Sequence, residues 1–306
     1  MSESISTTHT YDGWLTVYKP IGPTSFDIVK QVRHLLPRKT KVGHGGTLDP
    51  LAEGILPIAI GEATKTVDYL MDEKKEYIFE VSWGEQRTTD DLEGDVLHSS
   101  LNRPTQKDLE AILPPFIGPF DQIPPLYSAK KIEGKRACDL MREGKEVVLK
   151  PSKITVFSLE IVSHTPDKTL FKALCSKGTY IRSLARDMGQ ALGCHGYAAS
   201  IKRSQVGGIS LKNALSLEKL AVLEKEGILG EMIRPIQAVL ADIPAVLVTP
   251  DQEQKLRYGQ AVVYPQRDLI PEDQTCILCV NDQDKAVAIV DVDGRALRPK
   301  RVFNIK

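Results

Sequence analysis

Apolar residues recur at two spacings along the chain, and the switches between them mark its elements. Trp14-Leu-Thr-Val-Tyr18 has the composition of a strand, which Lys19-Pro20 ends. After a turn at Gly22-Pro23, Thr24 or Ser25 caps a helix. Its apolar positions Ile28, Val29, Val32, Leu35 and Leu36 fall on one face, and Pro37 stops it. From Tyr77 to Gly84 the period shortens to two. Tyr77, Phe79, Val81 and Trp83 then share one side of a strand. Thr105 to Asp108 has capping-box spacing and opens a short helix through Leu113. The prolines that follow, up to Pro125, predict an irregular surface or insertion loop. Residues 154–163 and 169–176 read as two strands joined by a turn at Thr165-Pro-Asp-Lys168. Ile181, Leu184, Ala185, Met188, Ala191 and Leu192 form a helical stripe closed by Gly193.

The pattern changes after Asp242. Ala245 to Thr249 is a strand candidate, and Thr249-Pro-Asp-Gln252 is a second capping box with proline at the first helical position. Short strands follow near 261–264, 275–280, 286–292 and 297–304, with a hairpin signal at Asp293-Gly294. The expected organisation is therefore a disordered start over residues 1–10, a mixed α+β domain over 11–242, and a small, mostly β module over 243–306. No internal repeat interrupts this division.

Composition narrows the class. With 42% hydrophobic and 26% charged residues, the chain has the make-up of a soluble globular protein. It lacks an apolar run long enough for a membrane span, and its polar start does not resemble a secretory signal, which points to the cytoplasm. Five scattered cysteines are an odd number and argue against a disulfide framework. Cys276 and Cys279 have CxxC spacing, but without a second pair or a nearby histidine they read as strand thiols rather than zinc ligands. The net charge is zero, which by itself argues against a nucleic-acid partner. Its distribution says otherwise. Lys30 to Lys41, Lys172 to Lys212 and Gly294 to Lys306 are basic, while the acids concentrate between Asp72 and Asp95. Such segments make either a basic groove or unrelated solvated faces.

Chemistry concentrates in Val42-Gly-His-Gly-Gly-Thr-Leu-Asp-Pro-Leu-Ala-Glu-Gly-Ile-Leu-Pro57. Its glycines permit close approach of backbone to a ligand, and Pro50 biases Asp49 toward extended backbone. A short carboxylate on a stiff loop suits a nucleophile or base, and it suits a plain Asp-Pro turn equally. Neither GxGxxG nor GxxxxGK[ST] is present, which removes nucleotide-cofactor readings. A second segment, Cys175 to Asp187, passes from a strand through Gly178 into a helix. Arg182 lies there in the first turn, off the apolar stripe, and either grips a carboxylate or caps a surface turn. Tyr77 is either a core residue or a platform for a ligand.

Five motifs in one order resemble the TruB family of pseudouridine synthases: Lys19 to Ser25 (KPxGxTS), Gly43 to Pro57 (GHxGTLDPxAxGxLP), Lys75-Glu-Tyr77 (KxY), Pro125 to Arg136 (PxxSAxKxxGxR) and Ser176 to Arg182 (SKGTYIR). The resemblance spans roughly residues 11–210. It implies a pseudouridine synthase fold in the catalytic domain, a mixed, largely antiparallel sheet flanked by helices. The C-terminal module resembles a PUA-type RNA-binding domain. The resemblance also implies that Asp49 is catalytic, that Arg182 pairs with it, and that Tyr77 stacks on the target uracil and takes part in proton transfer. By the same resemblance His44, Tyr180, Ile201 and Lys19 bind substrate. Ile201 stands where the family more often has Leu. Arg87 to Gly94 departs from the family's alternating Thr/Asp pattern and is expected to lie apart from the chemistry.

The reaction so implied is the isomerisation of uridine to pseudouridine at position 55 in the T loop of tRNA. The bond from uracil N1 to ribose C1′ breaks, the base turns, and C5 joins C1′. An isomerisation of this kind needs no redox cofactor, nucleotide or metal. Asp49 attacks C1′, removes a ribose proton to give a glycal, or adds to uracil C6; the sequence leaves these routes open. The target base must be extruded from its loop, and Tyr77 is the aromatic surface to receive it. The implied partner is the tRNA T-arm, met by a monomer without a guide RNA or a membrane.

Overall fold

The strand Gly13–Lys19 is buried along nearly all its length and lies antiparallel to Ala52–Ile60. The computed structural model describes residues 11–266, 270 and 274–305, so the disordered start expected over 1–10 lies outside the described residues. Among the described residues, two large sheets dominate. The first has nine strands. Its main path runs from Gly13–Lys19 through Ala52–Ile60, Gly196–Val206, Lys75–Trp83, Lys168–Cys175 and Ser152–Thr165 to Gly118–Gln122. Every pairing on that path is antiparallel except one: Ile201, Lys202 and Arg203 run parallel to Ala52, Glu53 and Gly54. This is the mixed, largely antiparallel sheet that the resemblance implies.

The alternation from Tyr77 to Trp83 places its aromatic side on one layer of core. Phe79 stacks on Phe171 at 5.4 Å between ring centroids, and Trp83 meets the same ring edge-on at 6.3 Å. The helix Ile181–Ala191 covers this layer with Ile181, Leu184, Ala185 and Met188. Each of the larger of these, Ile181, Leu184 and Met188, stabilises the fold by about 1.5–3 kcal/mol. Trp83 also donates its indole N–H to Thr169 Oγ1 at 2.8 Å, so its one polar atom is satisfied. The helix Ser25–His34 packs on Leu15, Val17, Leu56 and Ile58 through Ile28, Val29 and Val32. Thr24 supplies its cap, with Asp27 completing a capping box. Ser25 turns inward instead.

The second sheet has five strands in the order Ala245–Leu247, Cys276–Val280, Ala286–Asp293, Ala296–Val302 and Val262–Val263. Thr249 and Gln252 cap the helix Pro250–Arg257 as the sequence pattern predicts. Cys276 and Cys279 lie on one strand, and all five cysteines are free. This module does not stand apart. Leu278, Ala286, Ile289 and Phe303 share one hydrophobic cluster with Trp14, Ala59, Ala63 and Leu70 of the larger unit.

Three strands on the main path of the large sheet depart from the sequence-based expectation. The proline-rich stretch carries the edge strand Gly118–Gln122, paired with residues 152–156. An edge tolerates Pro119, which has no N–H to give. Ala52–Ile60 and Gly196–Val206, both interior to the sheet, carry no strand signal in the alternation.

Candidate active site

Asp49 sits on a loop held from four directions. Ser25 Oγ accepts from the Leu48 N–H at 2.8 Å and donates to the Leu48 carbonyl at 2.9 Å. The Gly22 N–H donates to the Pro50 carbonyl at 2.8 Å. Lys19 Nζ donates to the carbonyls of Pro20, Pro50 and Ala52 at 2.9, 3.2 and 2.6 Å. On the far side, Arg203 donates to the Gly46 and Thr47 carbonyls at 3.0 and 3.4 Å. The Ala52 N–H closes a turn onto the Asp49 carbonyl at 3.1 Å, with Pro50 inside it. Rigidity of this kind fixes a reacting group before substrate arrives.

Arg182, only 5% exposed at its side chain, donates from Nη2 to Asp49 Oδ2 at 2.7 Å. The same guanidinium reaches Asp91 Oδ2 at 3.3 Å from Nη1 and the carbonyls of Thr89 and Tyr127 at 2.9 and 3.0 Å. Five N–H donors in a rigid fork thus meet two carboxylates and two carbonyls. The 87–94 segment was expected to lie apart from the chemistry, and here the structure corrects the sequence reading. Asp91 is 3% exposed, and it is held in turn by Thr89 and by the Glu93 N–H at 3.0 Å. Burial pushes its carboxyl up, against the pull of Thr89 and Arg182. Its neighbour Asp90 pairs with Arg186 at 2.9 Å, and burial raises that carboxyl to about 6 in spite of the ion pair.

Asp49, Tyr77, Tyr180, Arg182 and Ile201 line one cavity of about 320 Å³. Their elements are far apart in the chain and are brought together by the register of the sheet. Ile201 and Arg203 lie opposite Ala52 and Gly54 on one side, and opposite Phe79 and Tyr77 on the other. The Tyr77 phenol is buried, which raises its pKa, and the neighbouring Arg203 opposes the rise. Tyr180 is held at its backbone by Gln122, which accepts from its N–H at 2.8 Å and donates to its carbonyl at 3.1 Å. Lys75, Lys130 and Lys177 stand at the same cavity and make its rim basic.

Two expected substrate contacts lie elsewhere. Lys19 is fully buried against backbone carbonyls and does not line the cavity. Its burial lowers the ammonium pKa to about 8, with Asp49 opposing. Its place suits bracing the loop rather than touching a ligand. His44 opens on an adjoining groove of about 510 Å³, with Arg33, Lys41, Thr64 and Asp68. Burial and the charge of Arg203 hold its imidazole below the usual range, which favours the neutral ring. Its Nδ1 accepts from the Gly46 N–H at 3.3 Å.

Arg203 and Asp91 are the residues that motif reading passed over. A signal existed for Asp91, an acid within a dense acidic run. For Arg203 the signal was its place two residues after Ile201, and nothing in the pattern marked it as buried. Among the described residues, no cluster of three or more histidines, cysteines or acids is arranged to hold a metal.

A family model described as "TruB family pseudouridylate synthase (N terminal domain)" matches residues 33–181. A protein of Rhodopseudomonas palustris named tRNA pseudouridine synthase B is 44% identical, over 96% of this chain and 81% of the relative. One of the same name from Caulobacter vibrioides is 43% identical, over 96% of each. Among solved structures, an H/ACA RNP bound to a substrate RNA containing 2′-deoxyuridine has a TM-score of 0.72 at 19% identity, covering 99% of this chain and 93% of that one. The Nop10-Cbf5 complex of an archaeal box H/ACA sRNP gives 0.71 at 20%, covering 96% and 86%. At such identities the likeness is one of fold.

Proposed function

The chain belongs to the TruB family of pseudouridylate synthases, and on that premise we propose that it isomerises uridine to pseudouridine at position 55 in the T loop of tRNA, with Asp49 as the catalytic carboxylate. The observation that carries this reading is the 2.7 Å ion pair between Asp49 and the buried Arg182 at the wall of the cavity. Arg182 fixes one carboxylate oxygen, and the other is left for the substrate. A uridine swung out of its loop then stacks on Tyr77, against Ile201 and Tyr180. Retaining glycosidases use a carboxylate in a comparable way at an anomeric carbon. The N1–C1′ bond breaks, the ring turns within the cavity, C5 bonds to C1′, and the C5 proton leaves last, while N1 ends with a proton taken up in exchange.

The half-exposed loop face around His44, Arg33 and Lys41 is where the displaced T-loop backbone lies in this reading. The five-stranded module adds RNA contacts beyond the T loop. The enzyme works as a cytoplasmic monomer, without a guide RNA. No helix among the described residues is long and apolar enough to cross a membrane.

The experiment is tritium release from tRNA labelled at uridine C5, a hydrogen lost only when carbon replaces nitrogen in the glycosidic bond. Wild-type protein is expected to release one tritium per tRNA. Asp49→Asn is expected to lose at least about a thousandfold in rate, with tRNA affinity within a few-fold of wild type. Free uracil in the product would instead identify an N-glycoside hydrolase.

A further inference from the structure

Arg203 is 1% exposed and takes part in none of the ion pairs with carboxylates found among the described residues. A buried charge without a carboxylate is costly unless its donors are all used. They are spent on backbone. Nε donates to the Ile55 carbonyl at 2.9 Å, Nη2 to that of Gly46 and Nη1 to that of Thr47. The one polar side chain beside it is Tyr77, whose hydroxyl interacts with the guanidinium charge. Tyr77 and Arg203 face each other in the register of adjacent strands, and both line the Asp49 cavity.

One side chain therefore touches both halves of the site. It holds the loop two residues before Asp49, and it holds the polar tip of the aromatic ring on which the uracil is proposed to stack. We propose that Arg203 is a positioning residue of the reaction: it sets the Tyr77 hydroxyl against the Asp49 loop and so fixes where the base sits while it is turned and rejoined. The inference rests on the function proposed above. The physical reason is geometric. A tyrosine ring on a strand is free to slide and tilt by an ångström unless its hydroxyl is tied, and a misplacement of that size costs a rate factor of about a hundred. Gly54 makes the arrangement possible. A Cβ there would meet the Arg203 carbonyl oxygen at 2.2 Å, so only glycine lets the arginine strand come this close.

The charge has a second consequence. Burial is the main cause that lowers proton affinity at His44, Lys19 and Lys75, and the Arg203 charge lowers it further at all three. At Tyr77 it opposes the effect of burial, favouring the phenolate over what burial alone would allow. A phenolate left at this hydroxyl during turnover lies beside its countercharge.

The test is a double-mutant cycle read by single-turnover tritium release from uridine-C5-labelled tRNA, with enzyme in excess and tRNA affinity measured alongside. Arg203→Lys keeps a cation and cannot keep four partners. It is expected to slow the saturated rate tenfold or more while Kd for tRNA stays within threefold. In a Tyr77→Phe background the same substitution is expected to cost less than threefold, because the hydroxyl through which it acts is gone. Equal losses in both backgrounds would overturn the inference and leave Arg203 as a brace of the loop. A loss confined to tRNA affinity would overturn it too.

Tyr77→Phe alone gives a reading that does not depend on altering position 203 or on residual turnover. The guanidinium nitrogen resonances of Arg203 are expected to shift when the hydroxyl is removed, and unshifted resonances would also overturn the inference. Failure of the wild-type enzyme to release tritium is a different result: it refutes the proposed function and is read before the cycle is begun.

Discussion

Asp90 and Asp91 are adjacent, both buried, and each faces an arginine. Asp90 adopts a left-handed backbone with φ of 59°, a conformation that Asp and Asn tolerate better than other non-glycine residues. Its carbonyl accepts from the Ala198 N–H at 3.0 Å, and its side chain meets Arg186, which also has Asp187 at 2.8 Å. Burial outweighs the ion pair, so the folded carboxyl titrates near 6 rather than at its ordinary 3.8. A carboxyl raised in the folded state binds more protons there than in the unfolded chain between those two values. Its contribution to stability is therefore largest below about pH 4 and is lost as pH rises through 6. The magnitude is about 3 kcal/mol. Asp90→Asn keeps the left-handed turn and removes the titration. In denaturation series from pH 4 to pH 7, the stability of the variant relative to wild type is expected to improve by that order as pH rises. A difference that is flat with pH would mean that Asp90 is not held in its acid form.

At the scale of elements, the parallel pairing of Ala52–Gly54 with Ile201–Arg203 is the join that creates the cavity. It depends on Gly54, whose φ of 113° and contact with the neighbouring backbone exclude a side chain twice over. Gly54→Ala is expected to cost about 3 kcal/mol or more, as strain at a positive φ adds to a backbone clash. A thermal melt within two degrees of wild type would show that the two strands can separate at little cost. The same join explains what the sequence did and did not reveal. Asp49, Arg182, Tyr77 and Tyr180 were legible because each sits in a short motif whose residues are consecutive in the chain, and Ile201 only by its position after the last of them. Gly196–Val206 was not. Its buried positions include Arg203 and the small Ala198, and register irregularities at 198–200 and 203–205 break the period of two. Ala52–Ile60 hides for a related reason. Gly54 and Pro57 interrupt it, yet Pro57 falls between the residues paired with 201–203 and those paired with 42–44, where its missing N–H leaves no hydrogen bond unmade. The acids from 87 to 94 were misjudged because acidity reads as solvation, whereas two arginines from one helix bury Asp90 and Asp91.

At the scale of the whole molecule, the boundary near residue 242 separates sheets but not cores. Phe303 is fully buried in a cluster built from both. Polar ties reinforce it: Lys65 donates to the Val302 carbonyl at 2.7 Å, and Glu62 accepts from the Asn304 N–H at 2.7 Å. Removing residues 243–306 would bare the underside of Trp14, Ala63 and Leu70, so loss of the module is a stability event before it is a binding event. A single substitution separates the two. Phe303→Ala leaves the exposed surface of the module intact and is expected to cost about 3–5 kcal/mol. The chain has two tryptophans, Trp14 and Trp83, and both lie in the larger sheet. Tryptophan fluorescence therefore follows that sheet and, through Trp14, the face that meets the module. If the cores are continuous, the fluorescence transition in urea must move to lower denaturant although the substituted residue is in the other sheet. A transition unmoved by Phe303→Ala would mean that the module folds by itself and that the shared cluster contributes nothing to holding Asp49 and Arg182 together.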